Sequence, residues 1–316
     1  MPFRGIFPAL LTPFDEQDRV NETVLRDILD FQLWAGVHGF WVCGGSGEGL
    51  LLSGEERRRV AEIVVEQVGG RAKVIVHVGA MTTQEAASLA RDTESIGADA
   101  VACLPPLYFR TDPQAILDHY RLVAEATSLP LFAYNIPGSS GVTITPELLQ
   151  RLAAEIPTLR GVKHSSYDLY AFQQMRQLCG PDFTLFSGSD EVFLAALSMG
   201  GDGAVGSTLN LIPGAFVELY DAFRQGEIAR AQELQRKINA VIRVLLGVGA
   251  LPGTKEAMRL IGFNCGICRR PLRPLSEEQR ESLRVGLEAT GLLHVGFCQS
   301  SPHAGTARNL MDENAR

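Results

Sequence analysis

Lysine is rare in this sequence, and one lysine stands where it could carry out chemistry. Of the 29 basic residues only four are lysines. Lys163 alone closes an apolar, strand-like run, Gly161–Lys163, that ends in a polar loop. An arginine guanidinium stays protonated, whereas a lysine amine held away from water can lose its proton and attack a carbonyl. Lys163 is therefore the candidate nucleophile, and a solvated surface charge is the alternative reading.

The other three lysines occupy positions that suit structure better than chemistry. Lys73 opens a strand-like run, so it lies at the beginning of that strand. Lys237 falls on the polar side of a helical pattern, and Lys255 follows Pro252-Gly-Thr, where a helix is predicted to start. Parallel α/β folds collect their chemistry at the carboxyl ends of strands, which again favours Lys163.

Two tyrosines are candidates to move protons beside that lysine. Tyr134 closes another buried strand and could reach the same cavity as Lys163. A tyrosine near a lysine-derived imine can shuttle protons to and from the reacting carbon. A core tyrosine whose hydroxyl bonds the backbone fits the position equally well. Tyr108 follows Pro105 and Pro106 in a loop, where it could belong to the surface, an interface or the site.

Glycine-rich and acidic segments supply candidate binding groups. The run Gly44–Glu48 offers backbone N–H groups and the Ser46 hydroxyl, which suit a small carboxylate, although a tight turn is the simpler explanation. The run Gly201–Gly206 has the spacing of a dinucleotide fingerprint, but its glycines lead into a strand, so we expect no nucleotide there. Asp190 and Glu191 form an acidic pair at a predicted helix start. Capping of the helix is the expected role, and binding of substrate hydroxyls is the alternative if the substrate is a polyol.

Strand-like and helical patterns alternate through the first two-thirds of the chain. The predicted strands are Gly5–Thr12, Gly39–Gly44, Val74–Gly79, Ala100–Leu104, Leu131–Asn135, Gly161–Lys163, Thr184–Ser187 and Gly203–Ser207. The predicted helices between and after them are Thr23–Ala35, Gly54–Gln67, Thr83–Ile96, Asp112–Ala126, Pro146–Glu155, Leu169–Leu178, Glu191–Met199 and Pro213–Arg224. Further helices are predicted over Glu227–Leu246, Thr254–Ile261 and Ser276–Ala289.

Eight strand-then-helix units predict an α/β fold in which helices cover a parallel sheet. This number matches a closed (β/α)₈ TIM barrel better than an open sheet. We therefore expect a barrel over residues 1–225, C-terminal helices packed on it over residues 226–293, and a flexible tail over residues 294–316. Polar and glycine-rich residues gather at the carboxyl ends of the strands, where active sites of this architecture lie.

The composition excludes several classes of protein. A net charge of −7 and the lack of a basic run argue against nucleic-acid binding. No apolar stretch is long enough to span a bilayer, and prolines interrupt the apolar N-terminus, so neither a membrane anchor nor a signal peptide is expected.

Six cysteines in 316 residues do not form a disulfide framework. Cys265 and Cys268 have zinc-knuckle spacing, but no second such pair exists, so no metal is expected. A reduced, cytoplasmic protein is predicted.

Four segments together resemble the dihydrodipicolinate synthase and N-acetylneuraminate lyase family of Schiff-base aldolases. They are Gly44–Glu48, Tyr134–Pro137, Gly161–Ser165 and Gly203–Asn210, in the same order and on the corresponding strands. The resemblance extends from Phe3 to about Leu293. It implies a lyase that uses pyruvate or another 2-oxo acid together with an aldehyde.

The resemblance also implies roles for individual residues. Lys163 would form an imine with the 2-oxo acid and no other cofactor would be needed. Ser46 and the backbone at Gly45 would hold the carboxylate, and Tyr134 would shuttle protons. Tyr108 would reach into the site of a neighbouring subunit, which implies a homo-oligomer, either a dimer or a tetramer. The further substrate contacts would be Ser165, Gly188, Asp190, Glu191, Val205 and Ser207.

Individual positions favour one branch of the family over another. Ser139 stands where the synthases have an arginine for a second carboxylate, which argues against dihydrodipicolinate synthesis. Asp190 and Glu191 resemble groups with which the neuraminate lyases bind sugar hydroxyls, so a sugar-acid aldolase is the main prediction. Gly45 stands where both branches usually carry a Thr or Ser hydroxyl that links two tyrosines. A deoxy-keto sugar-acid dehydratase, and a binding barrel without activity, therefore remain as alternatives.

Overall fold

Eight parallel strands form the centre of the molecule in a computed structural model, which describes residues 3–291. The strands β1 to β8 are Gly5–Pro8, Gly39–Val42, Lys73–His77, Ala100–Cys103, Leu131–Asn135, Leu159–His164, Thr184–Ser187 and Gly203–Gly206. The helices α1 to α12 are Glu22–Trp34, Gly54–Val68, Thr83–Ile96, Pro113–Glu125, Pro137–Ser140, Pro146–Glu155, Leu169–Cys179, Phe193–Ser198, Pro213–Arg224, Ile228–Val248, Ala250–Leu260 and Glu277–Ala289. Short 3₁₀ turns span Gly49–Leu51, Asp190–Val192 and Thr208–Asn210.

The strands follow one another around the barrel, and β1 pairs with β8. Between β1 and β2 the sheet is joined by a single bridge, Ala9 to Trp41. The side chain of Asn210 strengthens this side, because its Nδ2 donates to the Ala9 carbonyl at 2.8 Å and its Oδ1 accepts from Leu11 N at 3.1 Å. The barrel is thus nearly closed, as the eight repeated units predict.

Apolar side chains fill two layers, which explains why the strands are continuously apolar. An inner cluster occupies the barrel interior and includes Phe7, Trp41, Phe132 and Phe186. A larger cluster lies between the strands and the surrounding helices. Strands that are buried on both faces have no solvent side on which polar residues are favoured. The inner cluster forms a solid floor beneath the carboxyl ends of the strands.

Side-chain caps mark the starts of several helices. Ser53 and Glu56 form a capping box at the start of α2, and Asp112 and Thr145 cap α4 and α6, each of which begins with a proline. The side-chain oxygens accept from backbone N–H groups that have no partner within the helix. The helices therefore begin where the loops above the strands end, and this fixes the length of those loops.

The predicted TIM barrel with C-terminal helices is confirmed, and the differences are local. The predicted helix Glu191–Met199 is divided into a 3₁₀ turn and α8. The short helix α5, which directly follows β5, was not predicted. α11 begins at Ala250, so the prediction that Lys255 lies at a helix start is wrong. Pro252 lies in the first turn of α11, where a missing backbone N–H does no harm, so it does not delay the start of the helix.

The C-terminal helices pack onto the end of the barrel that carries the polar loops. α10 contacts α9, α11, α12 and the 3₁₀ turn after β7. No helix within residues 3–291 is long and apolar enough to cross a membrane. The division of the chain at residue 225 stays a prediction. The predicted tail over residues 294–316 lies outside the described residues.

Candidate active site at the carboxyl end of the barrel

Lys163 and Tyr134 lie side by side at the carboxyl ends of two neighbouring strands. They are register partners on β6 and β5, so their side chains point to the same face of the sheet, into the barrel. The Lys163 amine lies 3.3 Å from the Tyr134 hydroxyl. Both residues are 4% exposed. Lys163 is therefore not a solvated surface charge, and the Tyr134 hydroxyl faces an amine and not the backbone.

Aromatic rings surround the Lys163 amine. Its Nζ lies 4.4 Å from the ring centre of Tyr134 and 5.2 Å from that of Trp41. Within residues 3–291 the Tyr134 hydroxyl is its one hydrogen-bond partner, and no carboxylate forms an ion pair with it. Ring faces attract a cation only weakly compared with a carboxylate. The amine is buried without a neutralising counterion, which is the setting in which lysine acts as a nucleophile.

His77 is a buried neighbour of Tyr134 that the sequence analysis missed. Its ring meets the Tyr134 ring edge to face at 5.7 Å between centres. Nδ1 lies 3.1 Å from the Cys43 carbonyl, so it must donate. Burial, together with Arg57, lowers the pKa of His77 to about 3. His77 therefore stays neutral and supports Tyr134 without adding a second charge to the site.

The glycine-rich run Gly44–Glu48 forms a compact loop beside Tyr134. Glu48 N donates to the Gly45 carbonyl at 3.1 Å, and the Thr12 hydroxyl donates to the Gly47 carbonyl at 2.7 Å. The backbone N–H groups of Gly45 and Ser46 have no acceptor within the described part of the chain. A Cβ added at Gly45 would lie 3.8 Å from the Tyr134 hydroxyl. The loop thus offers free donors at the edge of the site.

Glu48 is fixed by partners from α11 and from the loop that follows it, which the sequence analysis did not foresee. Its Oε1 lies 2.5 Å from Lys255 Nζ, and both side chains are almost completely buried. Its Oε2 accepts from the backbone N–H of Arg269 at 2.7 Å. Glu48 has a left-handed backbone conformation with φ of +55°. The buried ion pair between Glu48 and Lys255 explains their positions, and no local sequence pattern indicates this pair.

Asp190 is buried in the loop that follows β7. Its Oδ2 accepts from Thr208 N at 2.9 Å, whereas Oδ1 has no partner among the described residues. Burial raises the pKa of Asp190 to about 6, an effect that Glu191 adds to and Lys163 opposes. A Cβ at Gly206 would come within 1.6 Å of Oδ1. Glycine at position 206 therefore leaves room for this carboxyl.

A cavity of about 440 Å³ lies between the loops that follow β6, β7 and β8. Of the predicted substrate contacts it is lined by Ser165, Gly188, Asp190, Glu191 and Ser207. The Ser165 hydroxyl is shielded from solvent and has no partner within residues 3–291. A Cβ at Gly188 would lie 2.0 Å from that hydroxyl. Two of the residues that line the cavity, Ser165 and Asp190, thus each hold one buried polar atom without a partner among the described residues.

Val205 and Tyr108, which were also predicted as site residues, do not line this cavity. Val205 is fully buried in the inner cluster of the barrel and lines neither of the cavities at the rim. Tyr108 is 85% exposed and has a φ of +69°. It lines a second cavity of about 590 Å³, which also contacts Tyr134, Gly45 and Ser139. Within one chain Tyr108 therefore stands at the outer edge of the site and does not reach the lysine.

Comparison with protein families gives one match across nearly the whole chain. The sequence profile of the Dihydrodipicolinate synthetase family matches residues 2–290. N-acetylneuraminate lyase of Rhizobium meliloti (strain 1021) is 37% identical over 285 residues, which is 90% of this chain and 94% of that protein. 4-Hydroxy-tetrahydrodipicolinate synthase of Methanopyrus kandleri is 38% identical over 293 residues, or 92% and 98% of the two chains. Relatives from both branches are therefore similarly close.

Solved structures show the same fold. A prophage protein of the dihydrodipicolinic acid synthase family from E. coli K12, crystallised with pyruvate, has a TM-score of 0.88 at 26% identity. The match covers 92% of this chain and 99% of that one. CdNal from Clostridium difficile, crystallised with mannosamine, has a TM-score of 0.88 at 30% identity. The match covers 92% of this chain and 100% of that one.

Proposed function

The chain belongs to the dihydrodipicolinate synthetase family, whose members are lyases of the class I aldolase type, and we propose that it acts on pyruvate and an aldehyde through an imine on Lys163. The observation that carries this proposal is the buried Lys163 amine, which lies 3.3 Å from the Tyr134 hydroxyl and has no carboxylate partner within residues 3–291.

The chemistry follows from the properties of an imine. The Lys163 amine attacks the ketone carbon of the 2-oxo acid, and Tyr134 gives its proton to the hydroxyl that leaves as water. A protonated imine and a Tyr134 phenolate remain. In cleavage, Tyr134 takes the proton of the hydroxyl on the fourth carbon, and the bond between the third and fourth carbons breaks. The electron pair moves to the imine nitrogen, the aldehyde departs and an enamine remains. Tyr134 returns the proton to the third carbon, and water releases pyruvate.

The carboxylate of the 2-oxo acid is assigned to the loop Gly44–Glu48. The unpaired N–H groups of Gly45 and Ser46, together with the Ser46 hydroxyl, can donate to both of its oxygens. Holding the carboxylate orients the ketone carbon toward the lysine, so that the attack becomes an intramolecular step. The position of this loop beside Tyr134 supports the assignment, because a Cβ at Gly45 would already touch the tyrosine hydroxyl.

The aldehyde half of the substrate is assigned to the cavity that Ser165 and Asp190 line. Unpaired buried hydroxyl and carboxyl oxygens favour a ligand that brings hydroxyl groups to them. The second carboxylate of a synthase substrate would lack a positive partner at Ser139 in the neighbouring cavity, and in the cavity of Asp190 it would meet another carboxyl group. A sugar-acid aldolase is therefore favoured over dihydrodipicolinate synthesis.

Gly45 favours a second candidate, a dehydratase for a deoxy-keto sugar acid. Such an enzyme would use the same imine but eliminate water from the sugar acid, and its relay of protons would differ from that of a carbon–carbon lyase. Gly45 places no hydroxyl next to Tyr134, so the proton path of the lyases is incomplete in this chain. The two candidates are separated by their products, because only cleavage releases pyruvate.

We further propose that the protein works as a homotetramer or homodimer in the cytoplasm. The exposed Tyr108 lies beside the outer cavity and suits a contact with a neighbouring subunit. The cysteines of the described residues are unpaired, which is consistent with a reducing compartment.

Reduction with borohydride in the presence of pyruvate tests the proposed function. We expect peptide mapping to find the reduced adduct on Lys163, and we expect Lys163→Ala to lose both the adduct and at least about a thousandfold in turnover. Lys237→Ala is the matched control, because Lys237 is an exposed helix residue and should leave both unchanged. An adduct on another lysine, or activity retained in Lys163→Ala, would contradict the proposal.

A further inference from the structure

The cavity that we assign to the aldehyde changes in character from its inner to its outer part. Near Lys163, the Ser165 hydroxyl and Asp190 Oδ1 are buried and have no partners among the described residues. Both atoms are shielded from solvent, and neither gives up a hydrogen bond when its side chain turns toward the cavity to meet a hydroxyl group of a ligand. A ligand hydroxyl that reaches them gains a hydrogen bond and relieves an unpaired buried group at the same time.

At the mouth of the cavity the polar groups are already paired with each other. The Tyr167 hydroxyl donates to Glu191 Oε1 at 3.1 Å. Tyr167 lies in the loop after β6 and Glu191 in the 3₁₀ turn after β7, so this bond joins two neighbouring loops across the opening. The backbone of Glu191 is held as well, because Asn239 Nδ2 of α10 donates to its carbonyl at 3.0 Å. Tyr167 is 65% exposed, as expected for a side chain at the rim.

The wall that α10 and α11 contribute to the cavity is mostly apolar. It is formed by Ile242, Leu245 and Leu246 of α10 and by Ala250 and Thr254 of α11. A hydroxyl placed against the four apolar side chains would give up its bonds to water and gain none from them. A polyol chain that extends along this wall therefore meets few polar partners.

We propose that Tyr167 sets the length of the aldehyde, and that the enzyme takes a short polyhydroxylated aldehyde whose hydroxyls lie next to the carbonyl. This inference rests on the proposed function, because it concerns the partner of the Lys163 imine. Ser165 and Asp190 bind the first hydroxyls of the chain. Tyr167 hydrogen-bonds the Glu191 carboxylate and covers the outer part of the cavity, where a longer polyol would need to bind.

The test compares aldehydes of increasing length in condensation with pyruvate. The probes are glyceraldehyde, erythrose and mannose, and the measured quantity is kcat/KM for each aldehyde. We expect the wild-type protein to favour glyceraldehyde over mannose by about tenfold or more, the scale on which one binding contact discriminates substrates. Tyr167→Phe, which frees Glu191 but keeps the ring, should lower this ratio. Tyr167→Ala, which also opens the space, should lower it further.

Tyr170 provides a matched control. It is another exposed tyrosine, three residues further on in the first turn of α7, and it does not line the cavity. Tyr170→Phe and Tyr170→Ala should leave the preference for short aldehydes unchanged. A change of the ratio in the Tyr167 variants alone would support the proposal even if their overall activity falls, because a ratio of two substrates on one protein sample cancels a loss of folded protein.

The outcomes separate the inference from the proposed function. If pyruvate forms no adduct on Lys163 and no aldehyde is condensed, the proposed function fails, and the length limit fails with it. If the adduct forms but mannose reacts as well as glyceraldehyde in the wild-type protein, only the length limit is overturned. The same holds if the Tyr167 variants keep the wild-type ratio.

Discussion

Lys163 and Lys255 are both buried lysines, but their surroundings suit them to opposite uses. Lys255 is paired with Glu48 at 2.5 Å and is 1% exposed at its side chain. The ion pair fixes the Lys255 ammonium group, so this group is not available as a nucleophile. Lys163 meets a phenol and two aromatic rings and no carboxylate within residues 3–291. Residue type and burial are the same in both cases, so the partner decides which amine can attack a carbonyl.

Gly45 allows a direct test of the proton path at the scale of one residue. Its backbone can carry a side chain without strain, since its φ is not positive, and an added Cβ would lie in ordinary contact with the Tyr134 hydroxyl at 3.8 Å. Gly45→Ser should therefore bring a hydroxyl within hydrogen-bond reach of Tyr134. If the missing hydroxyl limits proton transfer, kcat for aldol cleavage should rise by about tenfold or more.

Gly45→Ala is the matched control for this variant, because it adds the Cβ without the hydroxyl. Steady-state kinetics on the same sugar acid would compare the three proteins. A rise in both variants would mean that filling space, and not the hydroxyl, is responsible. A fall in Gly45→Ser with no change in Gly45→Ala would show that the native path depends on the absence of a hydroxyl at position 45, as the dehydratase alternative suggests.

At the scale of elements, the C-terminal helices hold the glycine loop from outside the barrel. Lys255 of α11 pairs with Glu48, and Arg269 donates its backbone N–H to the same carboxylate. The Arg269 guanidinium also bonds the Leu51 carbonyl at 3.1 Å. The ring of Phe14 lies 4.2 Å from Lys255 Nζ and 4.3 Å from the Arg269 guanidinium. The position of the loop assigned to the carboxylate thus depends on Lys255 and Arg269, which lie more than 200 residues further along the chain.

Removing one charge of this pair should weaken both the fold and the binding of pyruvate. Lys255→Met leaves Glu48 buried and unpaired, which is expected to lower the free energy of unfolding by about 3–5 kcal/mol. Lys255→Met combined with Glu48→Gln should recover part of this loss, because no net charge then remains buried. Both proteins should show a raised KM for pyruvate, since the loop has lost its tether.

Denaturant unfolding and steady-state kinetics measure these two effects separately. Lys237→Met is the control, because Lys237 pairs with Glu233 on the exposed face of α10 and such pairs contribute little. A double variant that regains stability while KM stays high would support a positioning role for the pair. A KM that returns to the wild-type value together with stability would show that the pair serves the fold alone.

At the scale of the whole molecule, large exposed side chains stand at the rim of the barrel. Tyr108 and its neighbour Phe109 are 85% and 68% exposed and contact each other edge to face. They stand beside the cavity that reaches Tyr134, and Leu50 on the same cavity is 50% exposed. Large apolar side chains grouped in this way are typical of contact surfaces. This arrangement supports the proposal that Tyr108 serves the site of a neighbouring subunit.

Mixed oligomers test that proposal. Lys163→Ala and Tyr108→Ala should each be nearly inactive alone. If Tyr108 acts across a two-fold interface, a mixed dimer contains one site with neither residue and one site with both. Random exchange should then restore about a quarter of the wild-type activity, since half of the dimers are mixed and half of their sites are complete. Activity assays after co-expression measure this, with size-exclusion chromatography to determine the oligomer. If mixing restores nothing, Tyr108 acts within its own chain or not at all.

The sequence by itself determined the elements and their order. Continuous apolar runs identified the strands, and helical patterns located the helices between them, because both signals depend on neighbours close in the chain. The predicted bounds of β5, β7, α3, α6 and α9 agree with the structure. Lys163 and Tyr134 could be selected since each closes a strand, and parallel strands bring their carboxyl ends to one rim.

Tertiary structure alone decided which of these residues touch. The register of β5 on β6 sets Tyr134 against Lys163, and folding of α11 onto the barrel pairs Lys255 with Glu48. The bond between Tyr167 and Glu191 likewise joins two separate loops. Such contacts form between segments that are distant in the sequence and depend on the exclusion of water. A local sequence pattern indicates neither the distant partner nor the exclusion of water. Local patterns therefore located the candidate site, whereas burial and pairing decided what each side chain can do in it.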